Sequence, residues 1–382
     1  MTDPDELDAL RGASVLPSIR RLQELVEASP PAFLLGAGCS RAAGLPLTQQ
    51  LTNEVLTSGG PSAASKRILE ATAKLFESAG SANIEDYISE MIDFLSIADR
   101  RDTEVGSEGK ISAPGGSYSA AELRLAVEET KSAIASVIDR KLTLETHKAF
   151  VAAVHAPLRP GKGVARGCVD YLVLNYDTAI EDSLAAERVP FADGLEGGVT
   201  AWWQQDTFSR SDIGARVLKL HGSIDWVGDE QSGLPRREAR DRDIGGSARR
   251  NVMIWPASTK YRETQLDPFA QLLQRARKAL RPAEGEQRVL VTCGYSFGDA
   301  HINSEIEKAL RDSRGELTLA AFTELQEPEG PLLEWSDDPD IREQVLIFAN
   351  GGFFHADVSD RSTTGLNWWK FEILTRLLAG EL

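Results

Sequence analysis

Cysteine is scarce in this chain. Its three cysteines, Cys39, Cys168 and Cys293, lie far apart, which excludes a disulfide framework and any Cys-x-x-Cys pair for a structural zinc. Each neighbours an apolar, strand-like run and reads as a buried thiol in a reducing compartment. Long apolar stretches are missing as well, since none approaches the roughly 20 residues that a membrane helix requires. The first residues, MTDPDELDALRG, are acidic and lack the apolar centre of a secretory signal. The expectation is a cytoplasmic protein without membrane contact. Basic charge is in deficit: 42 Lys plus Arg face 58 Asp plus Glu, for a net charge of −16. A generally basic nucleic-acid coat is therefore excluded, though a local basic groove is not.

What is present is ordinary globular composition, 42% apolar over 382 residues, enough to bury a core without staples. Strand-length apolar runs recur: Ala32–Gly36, Val169–Leu174, Arg216–Leu220, Asn251–Trp255, Arg288–Cys293 and Leu317–Phe322. They do not alternate strictly, as expected of strands covered on both faces. Amphipathic helical patterns such as Asp267–Leu280 and His301–Arg311 separate them. Strands alternating with helices predict an α/β fold, a Rossmann-like, doubly wound and mostly parallel sheet. From about Leu51 to His155 the periodicity is helical only, interrupted by a polar, Gly/Ser-rich stretch at Asp102–Ser117 that reads as a flexible loop. The expected division is a Rossmann domain of residues 1–50 plus 160–382, with an all-helical module inserted at 51–159. Gly228–Ser247, rich in alternating charge, reads as a solvated excursion.

Four motifs carry candidate chemistry. In Phe33–Pro46, FLLGAGCSRAAGLP, a strand runs into Gly36-Ala37-Gly38 and Ser40; such a turn lets backbone approach a pyrophosphate, or is simply a tight βα connection. Leu172–Glu181, LVLNYDTAIE, ends a strand at Asn175 and Asp177. These are a donor-acceptor amide and a carboxylate suited to ribose hydroxyls, or an Asx turn capping the next helix. In Val217–Trp226, VLKLHGSIDW, His221 follows a strand and precedes a glycine, a setting for a general base. The other four histidines lack it: His147 and His155 ride helical patterns, His301 opens a helix and His355 follows aromatics. In Val289–Asn303, VLVTCGYSFGDAHIN, Gly294 and Ser296 follow a strand and present backbone N–H and hydroxyl groups, while Asp299 reads as a helix N-cap. No metal-ligand spacing is present, and no metal is expected.

Taken in this order, the four motifs resemble the sirtuin family, and more closely its bacterial branch linked to antiviral defence. The resemblance runs from Phe33 to Asn303. It implies an NAD pocket in which Gly36, Ala37, Gly38 and Ser40 bind the pyrophosphate, and Gly294 with Ser296 the adenosine-side ribose and phosphate. Asn175, Asp177 and His221 would carry the chemistry. Two departures from deacylating sirtuins matter: the zinc cysteines are missing, and Pro46 is followed by Leu47-Thr48-Gln49 rather than an Asp-Phe-Arg segment. The defence branch shares both, and resemblance to it implies hydrolysis of NAD as substrate, with no other cofactor. It also implies NAD depletion as an abortive, anti-phage response. The stand-alone architecture is similar to the sirtuin-like subunit paired with a HerA-type ATPase, which implies a homo-oligomer and such a partner, with DNA contacted only through that partner. Open alternatives are a nuclease or DNA-processing subunit, a deacylase or ADP-ribosyl transferase, and a non-catalytic module binding ADP-ribose or NAD.

Overall fold

The computed structural model describes residues 7–11, 16–28, 31–78, 82–105, 110–155, 167–228, 232–238, 251–253, 267–283 and 285–381. Sixteen strands occur among them. In chain order they are β1 (Ala32–Leu35), β2 (Ile111–Ala113), β3 (Gly116–Tyr118), β4 (Val169–Val173), β5 (Phe191–Ala192), β6 (Leu195–Gly197), β7 (Ala201–Trp203) and β8 (Ala215–Lys219). They continue with β9 (Gly222–Gly228), β10 (Pro235–Arg237), β11 (Asn251–Met253), β12 (Arg288–Cys293), β13 (Leu317–Thr323), β14 (Val345–Ala349), β15 (Gly352–His355) and β16 (Val358–Arg361).

The main sheet has the order β16-β15-β14-β13-β12-β1-β4-β8-β5. Pairing is parallel from β14 through β5, and antiparallel only where β15 and β16 close one edge. From β1 the chain builds outward to β4 and β8, and later in the other direction through β12, β13 and β14. The topological switch point, where open α/β sheets place their ligands, therefore falls at β1. Register levels the strand ends. Leu35 lies opposite both Val173 and Cys293, and Val173 opposite Lys219. The segments that follow, beginning at Gly36, Leu174, Leu220 and Gly294, consequently leave the sheet at one height.

The central strands are buried on both faces because successive side chains alternate between two cores. Phe33, Leu35, Tyr171, Val173, Val217 and Val291 enter one, against Leu22, Phe150, Val154, Leu374 and Leu377 from helices Leu16–Ala28, Glu145–His155 and Phe371–Leu378. Leu34, Leu172, Leu218 and Leu290 enter the other, against Leu272, Ile306 and Leu310 of helices Phe269–Ala279 and Ala300–Ser313. This alternation makes the strands read as continuous apolar runs, and it is the doubly wound architecture that the sequence predicts.

The inserted segment has its own core. Val55, Leu69, Ile88, Leu123, Val127 and Ile134 cluster from helices Thr48–Thr57, Ala63–Leu75, Ile84–Val105 and Ala120–Ile138. Ser119 opens the last of these with a capping box to Glu122. Helix Glu145–His155, which falls within the predicted insertion, packs instead on the main sheet through Phe150, Val151 and Val154. The stretch Asp102–Ser117, expected as a flexible loop, continues the long helix to Val105. It then forms the hairpin β2–β3, the one departure from a purely helical insertion among the described residues. Pro114-Gly115 makes that turn, with Gly115 at φ +81 as a proline-glycine reversal requires.

A second sheet, β11-β9-β10-β7-β6, is antiparallel throughout. Asn251–Met253 belongs here, paired to β9, and not in the main sheet as its apolar composition predicts; Ile254 and Trp255 lie outside the described residues. The predicted solvated excursion Gly228–Ser247 contributes β10, anchored by Arg237, whose guanidinium meets Asp193 and Asp225 (2.6 Å). Residues 229–231 and 239–247 of it lie outside the description. Among the described residues, no helix is long and apolar enough to cross a membrane.

Candidate functional site

The four segments leaving the sheet at one level join into a closed ring of contacts. After β1, the turn Gly36–Cys39 packs against the turn after β12. Gly36 N–H donates to Cys293 O (3.0 Å) and Gly38 N–H to Gly294 O (2.9 Å). Only glycine permits that approach. A Cβ on Gly36 would lie 2.4 Å from Gly294 O, and one on Gly294, at φ +64, 2.4 Å from Cys39 N. Cys39 N–H turns back to Gly36 O at 3.0 Å. The N–H groups of Gly36, Gly38 and Cys39 are thus engaged within the protein, and Ala37 is the exposed residue of the turn. Burial, and then the neighbouring Cys293, push the Cys39 thiol well up, which makes it a poor nucleophile.

The turn after β1 also binds the turn after β4. Asn175 Nδ2 donates to Gly36 O (2.9 Å) and to Ser40 Oγ (2.6 Å), and Ser40 Oγ donates to Asp177 Oδ2 (2.6 Å). Asp177 Oδ1 accepts from Ala179 N–H at 2.9 Å, so this carboxylate serves both as an Asx cap and as a fixed member of the cluster. Between them Tyr176 points the opposite way and is buried in the core of the inserted module.

The turn after β4 meets the turn after β8. Tyr176 O accepts from Ile224 N–H (2.9 Å) and Ser223 Oγ (3.2 Å), and the fully buried Lys219 donates to Asp177 O. Lys219 Nζ also lies 3.5 Å from Glu181 Oε1. Burial raises the Glu181 carboxyl to about 7 against the opposing pull of that ammonium. Neither Lys219 nor Glu181 stood out in the sequence: each looks like one charge on a strand or helix, and only burial makes it informative.

The ring closes between strands that are not neighbours. His221, in the β8–β9 turn, places Nε2 3.3 Å from Asp299 Oδ2, and His301 places Nδ1 2.6 Å from Asp299 Oδ1. Since β1 and β4 stand between β12 and β8 in the sheet, this contact spans the ends of both. Asp299 occupies the N-cap position of helix Ala300–Ser313, as its sequence setting predicts, yet its side chain makes no capping hydrogen bond. The carboxylate is turned to the two histidines instead. Asn303 holds the loop in place: its Nδ2 donates to Phe297 O (2.7 Å), and its Oδ1 accepts from the Tyr295 hydroxyl (2.8 Å). Phe297 itself sits at φ 57, a conformation disfavoured for a bulky residue.

Of the residues the sequence singled out, Asn175, Asp177 and Ser40 form one hydrogen-bonded group, Gly36, Gly38 and Gly294 one interlocked pair of turns, and His221 a contact across the ring. Ser296 is exposed on the loop after β12. Asp299 and His301 are additions. The signal available for them was their position two residues apart after a strand end; the distance along the chain to His221 hid the rest.

Fold and ring together define an open α/β protein whose candidate site lies at the switch point of its parallel sheet. More narrowly, residues 170–344, which carry every ring segment except the turn after β1, match the family model described as the SIR2-like domain, and this match supports a sirtuin-like family. No curated protein sequence matches the chain. Among similar solved structures, a Sir2 homologue in complex with NAD gives a TM-score of 0.43 at 13% identity, over 95% of this chain and 93% of that chain. A mutant Sir2 homologue with 2′-O-acetyl-ADP-ribose gives 0.40 at 16%, over 95% of each chain. A mutant with ADP-ribose gives 0.39 at 14%, over 94% of this chain and 95% of that chain.

Proposed function

We propose that this protein hydrolyses NAD at the nicotinamide–ribose bond, releasing nicotinamide and ADP-ribose. The observation that carries the reading is the ring itself, which brings Asn175, Asp177 and His221 to the ends of β4 and β8 beside the glycine turn of β1. The match of residues 170–344 to the SIR2-like domain supports it.

The leaving nicotinamide is cationic in NAD and takes the bonding electron pair onto its ring nitrogen, so its departure needs no general acid. The site must instead stabilise an oxocarbenium-like ribose and deliver water to the anomeric carbon. In this reading Asn175, clamped between Gly36 O and Ser40 Oγ, orients the ribose and the attacking water. Asp177 holds ribose hydroxyls by charge-assisted hydrogen bonds. His221 accepts the proton that water loses, and Asp299 acts as its positioning residue, stabilising the imidazolium that forms. Ala37 lies exposed where the pyrophosphate would run. Gly36 and Gly38 contribute by letting the two turns meet, while Gly294 and Ser296 would hold the adenosine-side ribose and phosphate.

For the biological setting we propose, on the motif resemblance alone, an NAD-depleting effector in anti-phage defence, gated by self-assembly or by a HerA-type ATPase partner. The test is NAD consumption by the purified protein, alone and with such a partner, with products resolved by chromatography. Nicotinamide and ADP-ribose should appear in equal amounts from the wild type. Both His221→Ala and Asn175→Ala should lower the rate about 10²–10⁴-fold while unfolding as the wild type does. Undiminished turnover in Asn175→Ala would overturn the assignment.

A further inference from the structure

Among the described residues, one group of three metal-ligating side chains converges: His221, Asp299 and His301, whose ligand atoms all lie within 4.8 Å of one another. We propose that these three residues bind a single divalent ion of the zinc class, and that the bound ion clips the ring shut and withdraws His221 from proton transfer. The second half rests on the reading of His221 as the base; the first does not.

The donor set is two imidazoles and one carboxylate, which suits zinc, cobalt or nickel and not the all-oxygen shells of magnesium or calcium. Three protein ligands leave a fourth position for water or a ligand, the arrangement of an open rather than a closed site. The side chains are 9%, 13% and 13% exposed, so two imidazoles and a carboxylate converge in a largely dry place.

Hydrogen bonding does not account for the contact that His301 makes in this cluster. His301 Nδ1 approaches Asp299 Oδ1 to 2.6 Å, yet this buried nitrogen makes no hydrogen bond, because ring and carboxylate are not aligned for one. Asp299 also gives up its helix-capping bond to take part, forgoing about 1 kcal/mol of helix stability. His221 and His301 rings stand 6.0 Å apart between centroids, with the carboxylate between them.

The consequence follows from topology. His221 leaves β8, whereas Asp299 and His301 follow β12, with β1 and β4 lying between those strands. An ion held by all three ties the two flanks of the proposed NAD site together. With Nε2, the nitrogen that faces Asp299, on the ion, the neutral ring carries its proton on Nδ1 and keeps no lone pair to take a proton from water. Metal binding and NAD turnover are therefore opposed.

Full-length protein stripped with a chelator would be titrated with cobalt(II), following the visible ligand-field band and equilibrium dialysis. One cobalt per chain is expected, displaced by zinc, with affinity reduced by at least about tenfold in both His301→Ala and His301→Gln. Thermal unfolding of the metal-free variants checks that each is folded, and the two substitutions differ in polarity, so one local defect does not decide the result. No band in the wild type, or equal binding in both folded variants, would overturn the site. NAD turnover is read separately: zinc at full occupancy should suppress the wild-type rate and spare each variant relative to its own metal-free rate. Full turnover in the zinc-loaded wild type would overturn the inhibitory role. Cobalt binding in a protein that never consumes NAD would sustain the site and sink the hydrolase reading, so the two failures are distinct.

Discussion

Ser40 and Asp177, 137 positions apart in the chain, share a 2.6 Å hydrogen bond in which the serine hydroxyl donates. The same oxygen accepts from Asn175 at 2.6 Å. One small hydroxyl therefore sets the orientation of both the amide and the carboxylate assigned to the ribose. Ser40→Ala should lower NAD turnover about tenfold to 100-fold, the scale of an ångström-sized misplacement of a reacting group. Its melting temperature should shift only slightly. Steady-state rates beside a thermal melt check this, and a large loss of stability with normal turnover would contradict it.

Gly294 and Gly298 belong to one loop and should respond very unequally to alanine. A Cβ at Gly294 meets Cys39 N at 2.4 Å with the backbone at φ +64, whereas at Gly298 it meets only Ser296 Oγ, at 3.4 Å. Gly294→Ala should destabilise the fold by about 1–3 kcal/mol or more, and Gly298→Ala by no more than about 0.5 kcal/mol. Denaturant midpoints measured on the pair distinguish a forced close approach from general loop sensitivity.

Glu181 should make stability depend on pH in a direction unusual for a carboxylate. Burial raises its folded value to about 7, above the ordinary 4.5. The folded state therefore holds the proton more tightly than the unfolded chain. Its stabilising contribution is complete below about pH 4.5 and is lost as pH rises through about 7. Glu181→Gln should abolish that portion of the decline, up to about 3 kcal/mol. Lys219→Met, by removing the opposing ammonium, should extend the decline to higher pH. Unfolding free energies at several pH values from about 4.5 to about 9 test both.

Asn303→Ala removes the bonds to Phe297 O and to the Tyr295 hydroxyl, leaving the left-handed Phe297 unsupported. The expected cost is about 1–3 kcal/mol. Faster amide exchange should be confined to residues 294–299, with lower NAD turnover because Asp299 loses its fixed place. Exchange mapped by mass spectrometry reads the first effect, and an unchanged loop would exclude the role.

The main-sheet strands were legible because a strand covered on both faces must be apolar at every position, and Ala32–Leu35, Val169–Val173 and Arg288–Cys293 nearly are. Asn251–Met253 shows where that reasoning fails. A short apolar run does not state which sheet it joins, and pairing with β9 decided it. The hairpin at Ile111–Tyr118 was hidden by its small polar residues, which look like a linker until two strands bond across Pro114-Gly115. Helix Glu145–His155 carries a helical pattern like its predecessors, and only the position of Phe150 against Phe33 and Phe371 assigns it to the main core.

By itself the sequence determined the doubly wound class, the helical insertion and the strand-end positions of Asn175, Asp177, His221 and the glycine turns, because periodicity and turn chemistry are local. Tertiary structure alone decided what those positions touch: that Gly38 N–H is taken by Gly294, that Ser40 joins Asn175 to Asp177, and that Asp299 abandons its cap for His221 and His301. Such contacts depend on strand order and register, which bring residues remote in the chain to one height above the sheet, and no local pattern encodes that height.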